Sequence, residues 1–174
     1  ALGKGARIGF DPWLHTRAGI ALLEEAFAKA DITLKALPRN PVDEIWGSER
    51  PPVPLGPVAV QPLELAGVAA ADKIKDLQRR LREAAEDAVI LTLPDSIAWL
   101  FNIRGSDVKH NPTPLAFAMI PASGKAELFI EKAKLGPEVR AHLKDIARVR
   151  PPDAPAERLA VLKDERKRVR LDTA

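Results

Sequence analysis

The 174-residue chain contains no cysteine. That excludes disulfides, a cysteine nucleophile and any thiolate-held metal, and it fits a cytoplasmic protein. Histidine is scarce as well: His15, His110 and His142 lie far apart, and no HExxH or similar ligand spacing exists. A two-metal hydrolytic site needs converging carboxylates that hold the cations about 3.5–4 Å apart. Most acidic residues here instead sit beside Lys or Arg on polar helix faces. No apolar run approaches the roughly 20 residues of a membrane span. The opening ALGKGARIGFD also lacks the long apolar core of a secretory leader. A concentrated basic face is missing too: 27 Lys and Arg are interspersed with 24 Asp and Glu for a net charge of +3, which argues against a nucleic-acid binder.

What is present is the material of a globular protein. Hydrophobic residues make up 46% of the chain, so general disorder is excluded. The length suits one domain, or one domain and part of another. Sixteen prolines fall mainly between periodic segments and read as punctuation.

Arg7 to Asp11 alternates as a short strand, and GKG before it is a plain turn, since a phosphate loop follows its strand rather than preceding it. Thr16 caps a helix through about Ala30, with Ile20, Leu23, Phe27 and Ala30 on one face. Ile32 to Leu37 alternates as a half-buried strand. This β-α-β unit is too small to bury its own faces. RNPVDEIW reads as a helical bend that anchors Ile45 and Trp46, and the following proline-rich stretch reads as an extended crossing and a domain boundary.

Ala69 to Asp87 is the clearest helix, with Ile74, Leu77, Leu81 and Ala84 as its apolar stripe. Asp76 with Arg80, Arg79 with Glu83 and Arg82 with Glu86 have helix-pair spacing. AVILTL is a central strand covered on both faces. Pro94 suits the first turn of the next helix, Asp95 its positive end, and Gly105 its stop. Leu115 to Ile120 and Ala126 to Ile130 form a hairpin across PASGK. A helix from Gly136, a strand at Val149, a helix over Ala156 to Glu165 and a strand in RKRVRLD complete the pattern. A hairpin among crossover-linked strands predicts an α/β fold with a mixed sheet.

The segment Asp95 to Pro114, DSIAWLFNIRGSDVKHNPTP, places large apolar residues directly beside Arg, Asp, His and Asn. WLFNIRGSD followed by HNP, with RIGFDP, NPVDEIW and ADK upstream in the same order, strongly resembles the N-terminal, creatinase-like region of the three-domain Xaa-Pro aminopeptidases (aminopeptidase P, peptidase family M24). The resemblance runs over nearly the whole chain. It implies a mixed sheet flanked by helices on both faces, with the tail of a preceding similar domain. It also implies a division into residues 1–47 closing a first creatinase-like domain, 48–64 a Pro-rich linker, and 65–174 a second such domain truncated at its C-terminus.

In that family a C-terminal pita-bread domain carries two divalent metals, often manganese, on two Asp, one His and two Glu, and releases an N-terminal residue that precedes proline. By the resemblance that domain and every metal ligand lie outside this chain. The expected role is therefore non-catalytic: shaping active-site access, restricting substrate length and supporting a homodimer. Expected partners are the chain's own catalytic domain and Pro-containing peptides, with no cofactor in this piece, no nucleic acid and no membrane. The alternative is a free-standing creatinase-N-like interaction module without peptidase activity; a gene that stops near Ala174 favours it.

Candidate channel residues are Arg104, Asp107, His110 and Asn111. Each has a plainer reading. Arg104 either meets a peptide carboxylate or carbonyl, or fixes its turn through Asp107, Asp95 or a helix-end carbonyl. His110 and Asn111 either line the channel or form a turn before Pro112. Ser106, Asp107 and His110 are not read as a triad, because closeness in sequence does not supply triad geometry. Trp99, Leu100 and Phe101 are expected in the core beneath the turn, and Trp13 and Trp46 at an interdomain interface.

Overall fold

The computed structural model describes residues 2–171, which divide into two compact units, the chain passing from the first to the second between Val53 and Pro54. In the first, β1 (Arg7–Phe10) leads through a 3-10 turn into α1 (Arg17–Ala28), then β2 (Thr33–Ala36) and α2 (Pro41–Trp46). β1 and β2 pair in parallel, Arg7 opposite Thr33. Thr16 caps α1 by accepting from the Gly19 amide. Asn40 does the same for α2 through Val42, with Pro41 at the first helical position. No described residue of this unit is fully buried. The bend at NPVDEIW is helical as expected, but it anchors little: Ile45 is 87% exposed.

The second unit holds the core. Its elements are β3 (Ala59–Val60), α3 (Leu63–Ala66), α4 (Ala70–Glu83), β4 (Ala88–Leu91), α5 (Pro94–Phe101), β5 (Ile103–Arg104), β6 (Phe117–Pro121), β7 (Ala126–Phe129), α6 (Pro137–Leu143), β8 (Ala147–Arg150), α7 (Pro155–Asp164) and β9 (Val169–Arg170). Five strands form one sheet in the order β8-β7-β6-β4-β9. β4–β6 and β6–β7 are antiparallel, while β7–β8 and β4–β9 are parallel, so the sheet is mixed. Alternate residues feed two cores. Val89, Ala118, Ile120 and Leu128 pack with Ile74, Leu81, Ile97, Leu100, Val139 and Leu143 of α4, α5 and α6. Ala88, Ile90, Met119 and Phe129 pack with Leu159 and Leu162 of α7. Helices thus cover both faces, as the resemblance implies.

Several local expectations are corrected. Ala84 is exposed and lies beyond the end of α4, whereas Lys73 and Gln78 are buried on that helix. Gln78 donates to the carbonyls of Pro121 and Gly124 and so fastens the β6–β7 turn, where Gly124 supplies φ +89°. The Asp76–Arg80 and Arg79–Glu83 pairs form, but Arg82 bonds the Ala122 carbonyl and Glu86 pairs with Arg170.

Gly105 is not the stop of α5. Asn102 ends it in the left-handed region at φ 51°, ψ 50°. Asparagine tolerates that conformation better than most residues. The supposed turn NIRGSD begins instead with β5, paired antiparallel with β3. The proline-rich stretch is extended, yet its second half is pinned: the Gly56 amide donates to Asp107 and the Val58 amide to the Lys134 carbonyl.

Candidate functional site

The Asp95–Pro114 segment is built on α5. Pro94 pre-sets the first helical φ, Asp95 sits in the positive first turn, and Ile97, Ala98, Leu100 and Phe101 face inward. Leu100 and Phe101 are 2% and 0% exposed. Trp99 departs from the core expectation at 58% exposed. Helical spacing explains this: with Ile97, Ala98, Leu100 and Phe101 turned inward, the intervening position must face out.

The Trp99 indole is not idle surface. Lys73 Nζ from α4 lies 4.1 Å from its centroid, a cation–π contact. The same ammonium donates to the Trp99 carbonyl at 2.8 Å and to Asn102 Oδ1 at 2.7 Å. Asn102 Nδ2 in turn donates to the Val68 carbonyl at 2.9 Å. Burial, and then the nearby Arg104 guanidinium, hold the Lys73 pKa below its ordinary value.

Arg104 on β5 turns back and donates to the carbonyls of Ile103 and, at 3.4 Å, Ala98. Of the partners considered for it, the helix-end carbonyl is the one found. Next to it, a Cβ on Gly105 would stand 2.4 Å from Pro114 N, so glycine is required by close backbone approach rather than by φ.

Asp107 cannot line a channel in this chain, because its side chain is 0% exposed. Its Oδ1 accepts from the Gly56 amide at 3.0 Å, and its Oδ2 from the Leu115 amide at 2.6 Å and from Lys134 Nζ at 2.7 Å. Three donors from three separate stretches, two backbone amides and one lysine, thus converge on one carboxylate. Ser106 Oγ donates to the Pro57 carbonyl. With its carboxylate so engaged, Asp107 does not orient His110, and no triad is assembled.

His110 and Asn111 lie at the exposed tip of the loop. His110 takes φ 62°, a conformation in which histidine is enriched among non-glycine residues. Asn111 Oδ1 accepts from Thr113 Oγ1 and the Asn111 amide bonds the Val108 carbonyl, so this residue also shapes the turn. The structure therefore groups Arg104 with Lys73, Trp99 and Asn102, buries Asp107 with Lys134, and leaves His110 and Asn111 at the surface. Lys73, Asn102 and Lys134 escaped the sequence reading. Lys73 sits beside Ile74 on the inward side of α4, a position that periodicity does reveal; Lys134 lies in the aperiodic EKAKL and gives no such signal.

Chemically, the site offers a half-open indole backed by the buried Lys73 ammonium, with the partly exposed Arg104 guanidinium on the neighbouring strand. It has no paired nucleophile and base. Among the described residues no group of three or more His, Asp or Glu is placed to hold a metal ion, so a two-metal centre does not fit here. No helix of the described residues is long and apolar enough to cross a membrane.

A family model described as the creatinase/prolidase N-terminal domain matches residues 49–174. Aminopeptidase P1 of Lotus japonicus is 41% identical over 142 residues, covering 82% of this chain and 21% of that protein. A probable Xaa-Pro aminopeptidase P of Neosartorya fischeri is 37% identical over 170 residues, covering 98% of this chain and 26% of the relative. A solved structure, the X-prolyl aminopeptidase of Caenorhabditis elegans, described as a cytosolic enzyme with a di-nuclear active site, superposes with a TM-score of 0.85 at 30% identity, over 98% of this chain and 28% of that one. The chain spans about a quarter of the length of these relatives.

Proposed function

The chain belongs to the creatinase/prolidase N-terminal domain family, and from that premise we propose that it serves as the non-catalytic N-terminal region of an Xaa-Pro aminopeptidase. The observation that carries this reading is the superposition of 98% of the chain on 28% of an X-prolyl aminopeptidase. In the proposed enzyme a separate catalytic domain holds two divalent metals, manganese by expectation, and the present chain walls the approach to them. Arg104, His110 and Asn111 are its proposed channel-facing residues. Arg104 provides positive charge for a peptide carboxylate or carbonyl, and the His110 tip narrows the entrance. Asp107 holds the loop rather than touching peptide. A homodimer in the cytoplasm completes the proposal.

The domain division belongs to the same reading. Residues 1–47 end a first creatinase-like domain and residues from 65 onward form a second. The start of the family match at residue 49 and the separate compactness of the chain from Pro54 support a boundary in this region.

The test is an assay with a Pro-containing peptide and manganese. The 174-residue chain alone should give no turnover. Joined to the catalytic part, Arg104→Ala and His110→Ala should lower kcat/KM for longer peptides while leaving the metal content unchanged. Turnover by the chain alone that survives removal of contaminants overturns the reading.

A further inference from the structure

The sheet face beneath α7 carries a charged group that the preceding proposal does not use. β7 is buried along its length, yet its second residue is Glu127, 5% exposed. A carboxylate there is unfavourable unless its hydrogen bonds are made. Arg158 Nε of α7 lies 3.2 Å from Oε1, and Arg150 Nε of β8 lies 3.6 Å from Oε2. The second contact is an ion pair beyond hydrogen-bond reach. Glu127 Oε2 and Arg158 Nε are both buried without a hydrogen-bond partner. Both atoms are thus charge-paired but lack an aligned hydrogen bond. Glu127, Arg150 and Arg158 border a cavity of about 290 Å³ whose other walls include Phe129, Pro151, Ala154 and Val161.

We propose that this cavity binds the ammonium and carboxylate of a free apolar α-amino acid. The ammonium donates to Glu127 Oε2. The carboxylate accepts from the guanidinium groups of Arg158 and Arg150. Arg150 is 46% exposed on the edge strand, so it can swing off Glu127, open access to Oε2 and meet the carboxylate. One carboxylate facing two guanidinium groups favours a ligand that brings both an anion and a donor, which a zwitterion does and a simple cation does not. The apolar wall takes the side chain, and the cavity has room for one of leucine size. This inference stands on the second unit's own residues and is independent of the peptidase reading.

The experiment is calorimetric titration of the chain with L-leucine, N-acetyl-L-leucine and L-leucinamide, with amide chemical-shift mapping by NMR. L-Leucine should bind saturably, shifting Glu127, Phe129, Ala154 and Val161, and each blocked analogue should bind at least about tenfold more weakly. Glu127→Gln, nearly isosteric, and Arg150→Ala, on the exposed edge, should each weaken L-leucine by a similar factor. Absence of saturable binding up to about 10 mM overturns the proposal, a buried water then being the partner of the two atoms. Equal binding of N-acetyl-leucine, or shifts confined to other regions, overturns it as well.

Discussion

Asp107 and Lys134 form a 2.7 Å ion pair with both side chains sealed from solvent, 0% and 1% exposed. The pair ties the 106–115 loop to the extended stretch at Gly56 and to the turn after β7. Removing one partner leaves an uncompensated buried charge, which typically costs about 3–5 kcal/mol. Asp107→Ala should therefore lower stability by that order in urea unfolding. The double variant with Lys134→Met should recover part of the loss, because no lone charge remains. A loss below about 1 kcal/mol for Asp107→Ala contradicts the assignment.

Neighbouring residues of α5 should behave oppositely. Leu100 is 2% exposed and Trp99 58% exposed. Leu100→Ala should destabilise by about 2–5 kcal/mol through the cavity it leaves. Trp99→Leu should cost about 1 kcal/mol or less, mostly the lost cation–π contact. Chemical denaturation measures both, and iodide quenching should reach the Trp99 indole in the folded protein.

Gly105→Ala places a Cβ against the backbone of Pro114, which a side-chain rotation cannot relieve. The expected loss is about 1–3 kcal/mol. Gly136→Ala, whose added Cβ meets nothing within 4 Å, serves as the control and should differ little from the parent. Thermal midpoints distinguish the two.

Asp87 sets an acid limit on β9. Its carboxylate accepts from the Arg168 amide and then from Lys167, and these bonds hold its pKa below the ordinary carboxylate range. A depressed folded pKa gives stability that is present above the unfolded value, about 3.9, and lost as pH falls through the folded one. Asp87→Asn should therefore be less stable than the parent at neutral pH, with a smaller decline on acidification. Hydrogen exchange at Arg168 and Arg170 should quicken in the parent below about pH 4. Equal acid slopes in the two proteins refute this.

The element order of the second unit was legible because its stripes are regular: Ile74, Leu77 and Leu81 mark α4, the AVIL run marks a strand covered on both sides, and Gly124 marks the hairpin. The end of α5 was misread because glycine is the commoner stop and Asn102 carries the left-handed turn instead. β3 and β5 are two residues each, too short for any period to appear. The site was legible as a segment but not as a geometry. Arg104, His110 and Asn111 remain within reach of a surface, yet nothing in the local sequence tells that Asp107 turns inward, since its partner Lys134 is 27 positions away.

The parallel pairing of β4 with β9 has a consequence for synthesis. Asp87 and Arg168, which directly precede that ladder and bond each other, are 81 positions apart. Closing so long a loop carries a large entropic penalty before any contact repays it. The β6–β7 hairpin and its helices can assemble on the ribosome as soon as they emerge, while one flank of β4 waits for the segment at Val169. Until then that flank is an open row of amides and carbonyls, the place where a nascent chain is most exposed to the wrong neighbour.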